Sequence, residues 1–459
     1  MDNGFKPYGK YKDTEYDWLG NVPSHWERLS IRSITELSNK RNGTRNDLEL
    51  LSVYREYGVI KKSSRDDNHN VESEDLSNYK YVDSGYLVLN KMKMWQGSLG
   101  VSKYEGIVSP AYIVCKLTGE LNSSYINYLL RAAVYKTIYN RLSYGVRVGQ
   151  WDMRYDDFKN IKVYLPPKEE QDQIVRYLDS KLAKINKYIK NKKKLVELLK
   201  EQKQAIINQA VTKGLDPNAK MKPSGIEWLG DIPEGWEVRR LKTVVRNIAN
   251  TTTKKENDEI YIGLENVDSW SGRIINVSIE SVFDSQAKKF NKNNILFGKL
   301  RPYLAKVTMP CQNGVCSGEF LVLEKISDNV LDKYVEYFLR SKSVIDLISR
   351  STYGAKMPRA EWNFIGNIKM GFPPLCEQQK IVAYIIRKIH AIDKTIERIN
   401  KEIDLITEYR TSLISAVVTG KVDVRNIEVE DSLEEIEEDV ETLGEEVLEE
   451  EEISMGKEG

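Results

Sequence analysis

Leu165-Pro-Pro-Lys-Glu-Glu-Gln-Asp-Gln-Ile-Val175 returns in the same chain as Phe372-Pro-Pro-Leu-Cys-Glu-Gln-Gln-Lys-Ile-Val382. The residues after each Pro-Pro decide the fold. In the first copy Val175, Leu178, Leu182, Ile185, Ile189, Lys192, Val196, Leu199, Lys203, Ile206 and Ala210 recur at spacings of three and four. In the second, Val382, Ile385, Ile389, Ile392, Ile396, Ile399, Ile403, Ile406, Arg410, Leu413 and Val417 do the same. A stripe repeating every ~3.5 residues over several heptads is a coiled-coil seam. Proline followed by an acidic first turn starts each helix, and Gly214 and Gly420 stand where a C′ glycine ends one. Each helix would be about 60 Å long at ~1.5 Å per residue.

A second pair of segments extends the repeat. Trp18-Leu-Gly-Asn-Val-Pro-Ser-His-Trp26-Glu returns as Trp228-Leu-Gly-Asp-Ile-Pro-Glu-Gly-Trp236-Glu. Both pairs are shifted by roughly 210 residues, far more than a solenoid unit, so each copy is a domain plus its helix. The reading is an α+β chain of five parts: a globular domain over 1–166, a helix over 167–214, a second domain over 215–373, a second helix over 374–421, and an acidic, disordered tail over 422–459. Helix one leads into the second domain and helix two leaves it. Pairing them without a long return loop makes them antiparallel, sets the domains at opposite ends of a rod, and gives one chain the pseudo-two-fold symmetry of a dimer.

Charge is segregated along the chain. From Asn426 to Gly459 there are 16 acidic residues and one Lys, a net of −15; the chain's total of +1 therefore leaves +16 on the residues before them. A basic body favours a polyanion as partner, because each phosphate neutralised releases a counterion. No apolar run reaches the ~18 residues needed to span a bilayer, and the N-terminus is no signal peptide, so the expected location is cytoplasmic. Cys311 and Cys316 lack a second pair, and His25, His69 and His390 show no metal spacing, so no metal is expected.

Within the first domain, Leu48–Val53, Gly85–Leu89 and Ile107–Lys116 read as strands and Ser124–Asn140 as the clearest helix, with a last strand over Ile161–Leu165. A basic-aromatic loop, Val88 to Gly100, precedes Gly106-Ile-Val-Ser-Pro-Ala-Tyr112; a glycine turn, Tyr144 to Arg154, comes after it. The second domain offers Asn294 to Tyr303, then Gly314-Val-Cys-Ser-Gly-Glu-Phe320, then Tyr353 to Arg359. These segments share position and chemistry but little identity. Two unlike readers on a stiff spacer fit a bipartite, non-palindromic duplex target. Arg and Lys can contact phosphates or guanine, while Gln, Ser and Tyr can read other base edges or fix the backbone. The candidate DNA-binding residues are Lys91, Lys93, Trp95, Gln96, Ser109, Tyr112 and Arg147 in the first reader. In the second they are Lys299, Arg301, Tyr303, Ser317, Glu319, Lys356 and Arg359.

Taken together, the Trp-Leu-Gly-x-x-Pro-x-x-Trp-Glu segment, the Gly-Ser-Leu-Gly…Ser-Pro-Ala-Tyr and Lys-Leu-Arg-Pro-Tyr…Gly-Glu-Phe segments, and the doubled Pro-Pro-x-x-Glu-Gln helix resemble the specificity subunit of a type I restriction-modification enzyme. The likeness runs to about Arg425 and leaves the acidic tail outside it. It implies two target-recognition domains alternating with two antiparallel helices, and a subunit that tells the complex which DNA sequence to modify or cut. It also implies two methylation subunits docked on this chain, with restriction subunits joining them. S-adenosylmethionine, ATP and Mg would be used on those partners, and none would be bound by this chain.

The residues themselves carry no Gly-x-x-x-x-Gly-Lys-Ser/Thr phosphate loop, since Tyr11 follows Gly4 to Lys10, and no Gly-x-Gly-x-x-Gly nucleotide turn. A non-catalytic recognition subunit is the reading that results. Two other classes stay open on the residues alone: a methyltransferase or nuclease with an unrecognised site, and a coiled-coil scaffold that binds no DNA.

Overall fold

The computed structural model describes residues 6–429 except 46, 65–74, 146–150, 257–258, 278–285 and 353–356. Arg147, Lys356 and the acidic run from residue 430 onward lie outside the described residues. The chain divides into two compact units, one holding the residues up to Lys193 together with those from Lys401 on, the other Lys194–Asn400. Each is therefore built from a globular domain plus pieces of both long helices.

The first long helix spans Lys168–Lys213 and the second Leu375–Val418. The seams follow the 3.5 spacing except near the end of the first helix, where Ile207 and not Ile206 is buried. Leu178, Ile385, Val196 and Ile399 are buried, and Leu182, Ile185 and Ile392 nearly so. Ile189, Leu199, Ile389, Ile396, Ile403 and Ile406 are half-buried. In the first unit Asn186 accepts from Arg410 Nη1 at 3.1 Å, and Lys192 pairs with Glu402 at 3.0 Å. The partner number falls as the residue number rises, so the helices run antiparallel. In the second unit Lys203 pairs with Asp393, while Ile207, Ala210 and Val211 share a core with Ile381, Val382 and Ile385. Neither seam cation merely points its charge to solvent; each has a partner on the facing helix, and burial pushes the Arg410 guanidinium down.

The two domains repeat one another in their central sheet. A four-stranded antiparallel sheet in the order Thr35–Leu37, Ile113–Leu117, Leu87–Leu89, Leu99–Val101 is matched by Val245–Ile248, Phe320–Lys325, Ile295–Gly298, Val307–Thr308. Glu27–Ser30 pairs with Lys162–Leu165 as Glu237–Arg240 pairs with Lys369–Phe372. These shared sheets are antiparallel, whereas the second domain also has the sheet Thr251–Thr252, Ala287–Phe290, Gly314–Ser317, Ile260–Ile262, whose last pair is parallel; with helices set apart from the sheets this is an α+β arrangement. Two sequence readings need correction. Ile107–Lys116 is two strands, Gly106–Val108 and Ile113–Leu117, because Pro110 cannot donate to a ladder and the chain turns between Ser109 and Tyr112. Ser124–Asn140 is two helices, Ser123–Arg131 and Ala133–Leu142. Ala132 is extended between them, and the Leu130 carbonyl accepts from the Tyr139 hydroxyl at 2.9 Å instead.

The repeated motifs turn out to be clasps between each domain and its helix. Glu170, the Glu of the first Pro-Pro-x-x-Glu-Gln, is buried and accepts from Trp26 Nε1 at 3.0 Å and from the Tyr8 hydroxyl at 2.7 Å, with His25 Nε2 also at 2.7 Å. Glu377 accepts from Trp236 Nε1 at 2.9 Å. The next residue holds the helix-bearing segment beside it: Gln171 donates to the Pro166 carbonyl and accepts from Asn122 N, as Gln378 donates to Pro373 and accepts from Leu331 N. The far end of the other helix completes each clasp. Tyr125 donates to the Val418 carbonyl at 3.3 Å, and Tyr334 to that of Val211 at 3.2 Å. Gly214 and Gly420 both take a positive φ as they end the helices, +77° and +72°.

Val422–Val429, placed in the tail by sequence, is packed instead. Asp423 forms a β-bridge with Lys6, Val424 is buried, and Gln173 donates to the Val424 and Ile427 carbonyls. The segment has apolar residues that the acidic run beyond it dilutes, which is why composition alone merged the two. Among the described residues, no helix is long and apolar enough to cross a membrane, and no group of three or more His, Cys, Asp and Glu could hold a metal.

One tight approach recurs in both domains. A Cβ at Gly106 would lie 2.5 Å from the Glu49 carbonyl oxygen, and one at Gly314 2.4 Å from that of Ile260. Gly314→Ala is expected to cost about 1–3 kcal/mol of stability through overpacking, read from urea unfolding.

Candidate nucleic-acid interface

In the second domain the sequence candidates converge. The strand Ile295–Gly298 ends at Lys299, whose N–H donates to the Glu319 carbonyl at 2.8 Å and whose own carbonyl accepts from Ala360 N at 3.0 Å. Arg301 donates its N–H to the Pro358 carbonyl, and Leu300 bridges to Arg359. Arg359 then forks onto Glu319, Nε to Oε2 at 3.2 Å and Nη2 to Oε1 at 3.1 Å. That bidentate pair raises the Arg359 guanidinium above its ordinary value. Arg301 sits in the left-handed region at φ +51° and is exposed, as is Tyr303. Arg301 makes no side-chain hydrogen bond or ion pair among the described residues. Lys299, Arg301, Glu319 and Arg359 thus form one charged surface, with Ser317 opening the turn that carries Glu319: its hydroxyl accepts from Glu319 N at 3.3 Å.

The first domain has the same frame with other side chains. Lys91 begins a short 3-10 helix, Lys91–Gln96, and its carbonyl accepts from Met153 N at 3.0 Å, the counterpart of Lys299 and Ala360. Lys91 Nζ pairs with Asp152 at 3.2 Å, and Trp95 stacks edge-on against Trp151 with centroids 5.3 Å apart. Lys93 is exposed and Gln96 half-buried. Ser109 accepts from Ala111 N at 3.4 Å, the same serine turn as at Ser317. Tyr112 is turned inward: its hydroxyl accepts from Asn90 Nδ2 at 3.2 Å, its ring packs on a small apolar cluster, and burial pushes the phenol up.

The frame makes a shallow surface with both signs of charge, able to meet a duplex through exposed cations while carboxylates orient them. Among residues not selected from sequence, Asp152, Trp151 and Asn90 hold the selected ones in place. Trp151 and Asp152 stand in the quoted glycine-turn stretch, yet nothing in their spacing marks them as partners of Lys91 and Trp95 some sixty residues earlier. Lys80 and Lys288 were also missed; each lies at the start of a strand with no motif around it.

Comparison with known proteins agrees with the doubled frame. Residues 23–198 and 233–408 each match the family model described as type I restriction modification DNA specificity domain. The chain is 25% identical over 439 residues to the type I restriction enzyme MjaVIII specificity subunit of Methanocaldococcus jannaschii, covering 88% of this chain and 95% of that relative. It is 22% identical over 348 residues to the EcoDI specificity subunit of Escherichia coli, covering 71% and 76%. Among solved structures, a chain from work on complex assembly and conformational transition of the type I R-M system has a TM-score of 0.65 at 13% identity, covering 86% of this chain and 98% of that one. The HsdS subunit from Thermoanaerobacter tengcongensis has a TM-score of 0.50 at 14% identity, covering 89% and 99%. At these identities the structural likeness speaks to the fold.

Proposed function

The chain belongs to the type I restriction modification DNA specificity family, and from that premise we propose that it selects an asymmetric, bipartite DNA sequence for a restriction-modification complex. The observation that carries this reading is the contrast between frame and contents. Both domains share the order of their central sheet and the serine turn, yet present Pro110 and Ala111 at that turn in one and Gly318 and Glu319 in the other. Two readers that share a central frame and differ in what they show a duplex suit a target whose halves are unlike. The basic body supplies the sequence-independent part of the affinity, and the exposed side chains the discrimination.

In this reading the chain supplies addressing and its partners supply chemistry. Two methylation subunits dock on it and restriction subunits join them; S-adenosylmethionine, ATP and Mg act on those subunits and not here. Mapping modified adenines in DNA from cells with and without this chain tests the proposal. A split motif with unlike halves, present only with the chain, is the expected result; a palindrome, an uninterrupted motif or no difference overturns it.

Arg301, exposed and without an internal side-chain partner among the described residues, is the natural base reader of the second domain. Arg301→Ala is expected to weaken target binding by about 1–3 kcal/mol and to relax preference in one half-site only, measured by competition against single-base variants of the mapped target. An equal loss on all sequences would mark a phosphate contact instead.

A further inference from the structure

Resting on that reading, we infer that Lys80 and Lys288 are positioning residues for target choice, each fixing the turn that its domain presents to DNA. Lys80 Nζ donates to the Tyr112 carbonyl at 2.6 Å, and Lys288 Nζ donates to the Phe320 carbonyl at 2.6 Å. Strand register shows the two lysines to be equivalent: Lys80 stands opposite Val108 and Lys288 opposite Cys316, each one residue before the serine that opens its turn. The turns themselves, Ser109-Pro-Ala-Tyr and Ser317-Gly-Glu-Phe, share only that serine. The clamp is common to both domains while the displayed side chains are not.

Both ammonium groups are half-buried, and among the described residues neither makes an ion pair. Burial, and then the neighbouring Arg41, with Lys91 also close, push the Lys80 ammonium down; burial and then Lys299 do the same at Lys288. A cation desolvated beside other cations is costly. Holding one backbone carbonyl where a turn re-enters its strand is a poor return for that cost in stability alone. It makes sense where the placement of the turn carries the specificity. In the first domain the turn is gripped from a second direction, by Asn90 on the Tyr112 hydroxyl. In the second it is gripped by Lys299 N on the Glu319 carbonyl. Each lysine therefore closes a two-point hold on the segment that bears the Ser109 and Tyr112, or the Ser317 and Glu319, side chains.

The test replaces the chain in its own cells by K80M, K288M and K80R variants and maps modified adenines across the genome. K80M is expected to lower discrimination against single-base changes about tenfold in one half of the motif, within the range a single mismatch spans. K288M should do so in the other half, and K80R, which keeps a charged donor, should restore it. Purified K80M and K288M chains should unfold at the temperature of the wild type. Unchanged preference in both halves overturns the proposal, and so does a uniform loss of modification at all sites with both preferences intact, which marks a phosphate contact. A K80M chain that fails to fold, together with normal target choice in K80R, marks a folding role and also overturns it. Failure of the wild-type chain to yield a split motif would instead refute the function on which the inference rests.

Discussion

Leu178→Glu is expected to destabilise the first unit by about 3–5 kcal/mol, the cost of an uncompensated charge in a buried site. Leu178 is fully buried at the point where the first long helix meets the globular core, sharing one cluster with Trp26, Tyr125 and, from the second helix, Leu413 and Val417. The seam is graded, and this decides where the same change matters. Ile385→Glu in the second unit should be equally damaging, because Ile385 is also fully buried. Ile396 and Ile403 are half-exposed, so a glutamate there can turn its carboxylate to water and should cost much less. Urea unfolding of the four variants checks the order; a flat series would mean that the seam is not what holds the helices.

Glu170→Leu should cost about 2–5 kcal/mol, for a different reason. The substitution strands the Trp26 indole N–H and the Tyr8 hydroxyl, two donors inside the core that lose their acceptor together, at roughly 1–3 kcal/mol each. Glu377→Leu at the equivalent position strands the Trp236 indole N–H and should cost about half as much. The asymmetry between equivalent sites is the measurement that matters, since a general intolerance of leucine at the helix start would make the two losses equal.

The repeat and the helices were legible because each rests on a local rule, and the antiparallel pairing because chain order leaves no room for a long return loop. A 3.5-residue stripe, a Pro-Pro start and a positive-φ glycine stop are properties of neighbouring residues, and Lys168–Lys213 and Leu375–Val418 fall where those rules put them. The meaning of Pro-Pro-x-x-Glu-Gln was not legible, because Glu170 meets Trp26 across 144 residues of chain. The same holds at the interface. Lys299, Arg301 and Arg359 were chosen for their chemistry, and the structure brings them together through backbone pairs that no spacing reveals. Lys80 and Lys288 escaped because a lone lysine in a short strand has no pattern; only the matched register of the two sheets makes them a pair. Where sequence overreached, at Ser124–Asn140 and at Ile107–Lys116, a single residue, Ala132 or Pro110, broke an apolar period that composition reads as continuous.

The core of the first unit contains Leu413, Val417, Val418 and Val424, whereas among the described residues that of the second is drawn from Ile207 to Ile389. On the ribosome, then, the half that is synthesised first cannot be the half that finishes first. The first domain must wait, with Trp26 and Tyr125 incompletely covered, until the second long helix and Val424 have emerged, while the later one can close once residues up to Ile389 are out. A product cut short before Leu413 would therefore carry a first domain that never seals.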